Sequence, residues 1–201
     1  MQEIQQIKRS DGFNFAFFAS LREISFSRKV AKIAKKNFQN YQLTFRIHCW
    51  MRTDEQWMNS AIEQAQAAAK IGEVPVGAVI IDAEGRELAA ASNRTISHSD
   101  PTGHAEIIAL RQAAKAIGNY RLTGTTVYST IEPCAMCAGA LINARVSRLV
   151  FGAHDLRFGA VETHFQLCTS EKLNHRIEIT SGILEPECRQ LIQDFFRNRR
   201  K

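Results

Sequence analysis

Residues 130–142 read TIEPCAMCAGALI and join a strand pattern to a helix pattern. The β-branched run 125–131 favours a β-strand, and the alanine-rich run 134–143 favours an α-helix. Between them, the stretch PCAMC at 133–137 places two cysteines three positions apart behind a proline. Cysteines so placed could bind a structural metal, carry out redox chemistry, form a disulfide or bind a catalytic metal. The rest of the chain has to distinguish these four uses.

The alternation of helix and strand patterns along the chain predicts an α/β domain. Apolar residues at helical spacing predict helices over 55–70, 105–116, 134–143 and 185–197, with Asp54 as the N-cap of the first. Strand patterns cover 76–82, 86–92, 125–131, 147–152 and 176–180. An opening hairpin followed by alternating helices and strands favours a mixed five-stranded sheet covered by helices on both faces. We therefore expect a three-layer α/β/α sandwich.

The composition indicates one globular domain in a reducing compartment. The chain has 201 residues, of which 45% are hydrophobic and 23% charged, and these are globular values. Five cysteines are an odd and modest number, which disfavours a disulfide framework and leads us to expect a cytoplasmic protein. No apolar run approaches the roughly 20 residues that cross a bilayer, so we expect no membrane segment.

The other cysteines and one further motif narrow the uses of PCAMC. A zinc site with four thiolates needs a second close cysteine pair, and Cys49, Cys168 and Cys188 are isolated. A redox pair at a helix N-terminus remains an alternative, because the helix dipole lowers the pKa of a thiol there. That interpretation leaves the stretch HAE at 104–106, which begins another predicted helix, without a role.

A catalytic zinc site gives both motifs a role. If the two helix N-termini point at one spot, His104, Cys134 and Cys137 supply one nitrogen and two sulfur ligands. Three such ligands leave the fourth tetrahedral position open, as in catalytic zinc sites. Glu106 lies two residues beyond His104 and could move protons without binding the metal. This combination predicts a hydrolytic site.

The motifs also resemble a known family. H-x-E followed by P-C-x-x-C is the signature of zinc deaminases. The stretches VPVGAV, DPTGHAEIIAL, TIEPCAMCAGALI, VFGAHD, LNHRIEI and FFRNRR, which span residues 74–200, resemble the bacterial tRNA-specific adenosine deaminase family. The resemblance implies a cytidine deaminase-like fold. It also implies hydrolytic conversion of adenosine to inosine at the wobble position of a tRNA anticodon.

The resemblance assigns roles to individual residues. It implies that His104, Cys134 and Cys137 bind one Zn²⁺ per subunit and that Glu106 shuttles a proton during deamination. Asn93, eleven residues before His104, matches the family asparagine that binds the flipped base. A turn or capping role is the alternative for this asparagine.

Three more residues match substrate-binding positions of the family. Val74 and Pro75 are expected to wall the base pocket, or else to shape the entry into a strand. Asp155, in the stretch FGAHD, matches a loop aspartate near the substrate backbone, and a turn role is the alternative. Departures from the family pattern occur at Gly103, at Arg157–Phe158 and over 162–172. These departures concern substrate contacts and leave the metal ligands intact.

The family also implies partners, and a second function stays open. The expected partner is a tRNA anticodon stem-loop, typically of an arginine tRNA, and the expected assembly is a homodimer. The alternative is a zinc deaminase of a free base or nucleoside of the guanine or cytosine type, which shares the zinc signature. A non-catalytic RNA-binding or redox protein with a structural metal is a rival from another class.

Residues 1–50 differ from the rest in charge. They hold nine Lys/Arg and three Asp/Glu, a net charge of +6, whereas residues 51–201 hold seventeen of each. A basic amphipathic helix over 21–41, a transit peptide or an RNA-binding arm would each fit this excess. Translation from an upstream start before Met51 is the plainer alternative. We interpret 1–50 as a basic extension, disordered or not native, and 51–201 as the zinc-dependent deaminase domain.

Overall fold

The computed structural model describes residues 52–199, and the predictions for residues 1–50 lie outside this range. Four α-helices, five β-strands and a short 3₁₀ turn occur in the described residues. In chain order they are α1 Asp54–Lys70, β1 Gly77–Ile81, β2 Glu87–Ser92, α2 Ala105–Ile117, β3 Thr126–Ile131, α3 Ala135–Asn143, β4 Arg148–Ala153, the 3₁₀ turn Leu167–Thr169, β5 Glu178–Ser181 and α4 Glu185–Arg199. Each predicted element is present, and its ends differ from the prediction by at most two residues.

The strands form one mixed sheet in the order β2-β1-β3-β4-β5. β1 is antiparallel to both β2 and β3, while β3, β4 and β5 are parallel to one another. Short turns can join the antiparallel neighbours, whereas the parallel strands need crossovers, which α3 and the segment after β4 supply. The predicted mixed five-stranded sheet is confirmed.

Helices cover both faces of this sheet. In β1, Ala78 and Ile80 point to the core under α2 and α3, whereas Val79 and Ile81 point to the core under α1 and α4. This alternation follows from the two-residue period of a strand. Because β1 is buried on both faces, its five residues are all buried and read as an apolar run. The three-layer α/β/α sandwich is confirmed.

The strand directions gather several predicted site residues at one edge of the sheet. β2, β3 and β4 run in the same direction, so their carboxyl ends lie at the same edge. Asn93 follows β2, Cys134 lies three residues beyond β3, and Asp155 lies two residues beyond β4. β1 runs the opposite way, so Val74 and Pro75, which precede it, lie at this edge too.

The N-terminus of α1 differs from the prediction. Thr53 is the N-cap, and its hydroxyl accepts a hydrogen bond from the Gln56 backbone N–H, while Gln56 Oε1 accepts one from the Thr53 N–H. This reciprocal pair is a capping box. Asp54 lies in the first turn instead, because its carboxylate binds Arg148 and the Tyr128 hydroxyl on the sheet. The prediction of Asp54 as N-cap is wrong by one residue.

No α-helix among residues 52–199 has both the length and the apolar character needed to span a bilayer.

Candidate zinc-binding and catalytic site

Two helix N-termini bring three possible metal ligands together. His104 is the N-cap of α2 and Cys134 the N-cap of α3, and neither side chain is used in capping its own helix. Cys137 lies in the first turn of α3 and is fully buried. The ligand atoms of the three residues lie within 4.8 Å of one another, although His104 and Cys134 are 30 positions apart in the sequence.

The distances fit a tetrahedral zinc site. His104 Nδ1 lies 3.7 Å from Cys134 Sγ and 3.5 Å from Cys137 Sγ. Zinc–sulfur bonds of about 2.3 Å and zinc–nitrogen bonds of about 2.0 Å at the tetrahedral angle place such atoms about 3.5 Å apart. One imidazole and two thiols are also a donor set that suits zinc. The residues therefore fit the metal that the sequence pattern predicts.

The cluster also has the electrostatics of a cation site. Hydrogen bonding from Cys137 and the facing imidazole of His104 lower the pKa of Cys134 to about 4. The hydrogen bond to Cys134 raises the pKa of His104 above its ordinary value. The pKa of Cys137 is raised because it donates to Cys134 and because it is buried. Protons shared within such a cluster are what a bound cation displaces.

Glu106 adds a buried carboxyl beside this cluster. It lies in the first turn of α2, two residues after His104, and its side chain is only 2% exposed. Burial raises the pKa of this carboxyl above its ordinary value. Among residues 52–199, its Oε2 is the buried side-chain oxygen that has no hydrogen-bond partner. An unsatisfied buried oxygen is costly, which is typical of a group that binds a water molecule or substrate.

Asn93 lies at the same edge of the sheet and is tied to its own loop. Its backbone N–H donates to Val76 O at 3.0 Å, and its Nδ2 donates to Thr95 Oγ1 at 3.3 Å. The side chain is buried, so the amide has a fixed environment. Pro75 is buried and Val74 half-buried on the neighbouring segment. Their contacts with a base remain predictions.

Asp155 closes a turn in the loop after β4. Its Oδ1 accepts hydrogen bonds from the backbone N–H groups of Arg157 at 2.9 Å and Phe158 at 3.2 Å. This is the turn role that aspartate plays when its side chain binds the backbone two residues further on. The structure thus accounts for Asp155 without a substrate, and a substrate contact remains a prediction.

Sequence reasoning missed Glu132, which directly precedes the proline of PCAMC. Its side chain is buried and accepts hydrogen bonds from the backbone N–H groups of Asp155, Val161, Glu162 and Thr163 at 2.8–3.2 Å, and from the Thr163 hydroxyl. Burial disfavours the charged form, but these donors outweigh it and lower the pKa of Glu132. Glu132 therefore clamps the loop after β4 to the strand end that carries Cys134.

Sequence reasoning also missed Glu73, which holds the loop after β2 in place. Its fully buried carboxylate accepts from the backbone N–H groups of Ile96 and Ser97 and from the Thr95 hydroxyl, at 2.7–3.2 Å. Thr95 in turn accepts from Asn93, so Glu73 supports the segment that carries the predicted base-binding amide. The sequence did contain a signal, because this glutamate stands next to a buried apolar run. Glutamate is rarely buried unless its carboxylate is paired, so a glutamate at such a position indicates hydrogen-bond partners.

Comparison with known proteins places the chain in a family. The MafB19-like deaminase family matches residues 52–200. The tRNA-specific adenosine deaminase of Haemophilus influenzae is 49% identical over 148 residues, which cover 74% of this chain and 86% of the relative. The protein of the same name from Bacillus subtilis is 43% identical over 151 residues, which cover 75% of this chain and 93% of the relative.

Solved structures agree with the sequence relatives. A deaminase studied for A-to-I editing at the wobble position of transfer RNA superimposes with a TM-score of 0.65 at 40% identity, over 67% of this chain and 97% of its own. Guanine deaminase from Nitrosomonas europaea superimposes with a TM-score of 0.64 over 72% of this chain and 85% of its own, but at 23% identity it supports the fold alone. The chain belongs to the tRNA-specific adenosine deaminase family, within the cytidine deaminase-like proteins.

Proposed function

We propose that this protein hydrolyses adenosine to inosine at the wobble position of a tRNA anticodon. The observation that carries the proposal is the meeting of His104, Cys134 and Cys137 beside the buried, unpartnered carboxyl oxygen of Glu106. Membership of the tRNA-specific adenosine deaminase family supports adenosine in tRNA as the substrate. Water and adenosine are consumed, and inosine and ammonia are released.

The ligands would hold one Zn²⁺ per subunit. His104 Nδ1 and the two cysteine sulfurs leave one tetrahedral position open. When bound, zinc at such a site lowers the pKa of water to about 7, which makes a nucleophile available at neutral pH. The positions of His104 and Cys134 at two helix N-termini keep both ligands on rigid elements.

Glu106 would manage the protons of the reaction. Its carboxylate takes a proton from the attacking water and delivers it to the amino group that leaves C6 of the adenine. The burial of Glu106 suits this work, because a raised pKa brings a carboxyl closer to the pH at which it must both accept and release a proton. Its fixed place in the first turn of α2 keeps it beside His104.

The base would be bound at the edge where β2, β3 and β4 end. Asn93 offers its side-chain amide to the base, while Val74 and Pro75 form an apolar wall that excludes water. Asp155, held in its turn, lies near the sugar-phosphate backbone of the substrate. An anticodon-loop base is already partly unstacked, so turning it into a pocket costs only about a few kcal/mol.

The remaining assignments complete the proposal. The substrate is the anticodon stem-loop of an arginine tRNA, the assembly is a homodimer, and the compartment is the cytoplasm, where reduced cysteines persist. Residues 51–201 form the deaminase domain, so a chain beginning at Met51 should match the full chain in kcat and KM. Intact-mass measurement of the protein isolated from its native cells shows whether residues 1–50 are present.

The test compares RNA with free substrates. Zinc-loaded protein is incubated with a stem-loop that carries a wobble adenosine and, separately, with free adenosine, cytidine and guanine, and products are identified by mass spectrometry. We expect inosine in the RNA alone, and far less of it when Glu106→Ala replaces the wild type. Product from a free base or nucleoside alone would instead favour the salvage-type deaminase. No product from any substrate by zinc-loaded protein would favour a non-catalytic role.

A further inference from the structure

An exposed aromatic groove adjoins the metal-binding cluster. It has a volume of about 560 Å³, and the residues that line it include Cys134, Met136, Arg157, Phe158, His164 and Phe165. The rings of Phe158 and Phe165 are 69% and 59% exposed, which is unusual for such large apolar side chains. We define these six residues as the aromatic groove.

The groove is continuous with the candidate reaction centre. Gly159 pairs with Cys134 in an isolated antiparallel bridge, so Phe158 is the immediate chain neighbour of the residue paired with a metal ligand. Because consecutive Cα atoms are about 3.8 Å apart, the Cα of Phe158 lies about that far from the Cα of Gly159, which pairs with Cys134. A nucleotide next to the reacting adenosine therefore has the groove within reach.

The backbone beneath the two rings is held in place. Asp155 closes the turn under Phe158, and the His164 ring bonds Leu156 O at 3.0 Å. Glu132 fixes the segment between the two phenylalanines through three consecutive backbone N–H groups. Rings on a fixed backbone lose little conformational freedom on binding, which favours their use as a preformed surface.

The charge of the groove fits an RNA strand. Arg157 supplies a cation for a phosphate, and no Asp or Glu occurs among the described residues that line the groove. Bases of single-stranded RNA stack on aromatic side chains, and arginine beside such rings binds the backbone.

We propose that the aromatic groove binds the bases that flank the wobble adenosine, with Phe158 and Phe165 each stacking on one base and Arg157 contacting a phosphate of the same strand. This inference rests on the proposed function, because it places the flanking nucleotides relative to the reacting one. It assigns two further substrate-binding residues, and it predicts that flanking bases contribute to KM through their faces and not through their hydrogen-bonding edges.

The test is a double-mutant cycle between protein and RNA. Phe158→Ala and Phe165→Ala are each assayed on a wobble-adenosine stem-loop and on stem-loops with an abasic site immediately 5′ or 3′ of that adenosine. On intact RNA we expect kcat/KM to fall about five- to a hundredfold, mainly through KM. On the RNA that lacks the matching base, the same variant should match the wild type, and Phe158→Trp should keep most of the activity.

Tyr120→Ala is the matched control. Tyr120 is 67% exposed and follows the C-terminal end of α2, the end opposite His104, so its removal should leave kcat/KM unchanged on every RNA. Zinc content and sedimentation are measured for all variants. Equal losses on intact and abasic RNA, or no loss at all, would overturn the inference. Dissociation of a dimer in Phe158→Ala or Phe165→Ala would assign the groove to a second copy of the chain and would overturn it too.

Failure of the proposed function has a different signature. If wild-type protein with a full complement of zinc does not deaminate the intact stem-loop, the proposed substrate is wrong. The stacking role, which rests on that substrate, is then wrong as well. If the wild type is active and the cycle shows no coupling, only the stacking role is wrong.

Discussion

Gly159 lies directly against the carboxylate of Glu132. A Cβ at position 159 would be 2.5 Å from Glu132 Cδ and 2.6 Å from Asp155 O, closer than real Cβ atoms approach other heavy atoms. The same glycine pairs with Cys134. One residue without a side chain therefore allows the loop after β4 to close on both the clamp glutamate and the metal-ligand segment.

Gly159→Ala should destabilise the protein and displace this loop. Because the added methyl meets a buried carboxylate and a backbone oxygen, we expect the free energy of unfolding to fall by about 1–3 kcal/mol. Urea denaturation of the zinc-loaded protein measures the change. Gly139→Ala in α3 is the control, since no described heavy atom outside the adjoining backbone of its own helix lies within 4 Å of its added Cβ, and it should be neutral or stabilising. Equal stability of the two variants would contradict the close approach at 159.

Glu73→Gln should weaken substrate binding while leaving the metal in place. The amide offers one acceptor where the carboxylate offers two, so part of the support for Ile96, Ser97 and Thr95 is lost. We expect the free energy of unfolding to fall by about 1–3 kcal/mol and KM for the stem-loop to rise, with unchanged zinc content. The exposed Glu63→Gln on α1 serves as control. An unchanged KM would show that this loop does not position Asn93.

Glu106→Ala should separate metal binding from catalysis. The carboxyl is not among the three clustered ligands, so zinc content should equal that of the wild type. Loss of a general acid–base group lowers kcat by about 100- to 10,000-fold. Atomic absorption and single-turnover deamination of the stem-loop provide the two measurements. Wild-type kcat in this variant would remove Glu106 from the mechanism.

Cys134→Ala should lose both zinc and activity, because it removes one of the three proposed ligands. Cys168→Ala is the control: this cysteine is equally a thiol but lies in the apolar core, so the variant should keep its metal. A chelator should abolish deamination in the wild type, and added zinc should restore it. Full zinc retention in Cys134→Ala would refute the assignment of this ligand.

The ion pair between Asp54 and Arg148 should make stability depend on acid pH. Hydrogen bonding from Arg148 holds the pKa of Asp54 below its ordinary value of 3.8. The lowered folded-state pKa means that its contribution is complete above pH 3.8 and is lost as the pH falls through the folded-state value. Asp54→Asn should cost about 1 kcal/mol of unfolding free energy at pH 7. The difference from wild type, followed by urea denaturation from pH 7 to pH 2.5, should shrink at the acid end; a constant difference would contradict the pair.

Local patterns in the sequence determined the helices and strands and predicted the candidate metal ligands. The two-residue and 3.6-residue periods of apolar side chains depend on near neighbours in the chain, so the nine helices and strands of residues 52–199 could be placed within one or two residues. His104 and Cys134 could be predicted as metal ligands because each stands at the start of a helix within a short motif. The resemblance over residues 74–200 then indicated the reaction.

Contacts between distant segments were decided by the tertiary structure alone. The apolar pattern around Glu132 and Glu73 shows that their segments are buried, but the partners that make burial of a carboxylate tolerable lie 22 to 31 positions away. Asp54 looked like a cap because capping is local, and the Arg148 that binds it is 94 positions away. Periodicity reports which face of an element is buried. Which polar groups meet there depends on how strands and loops pack, and that is set by the whole fold.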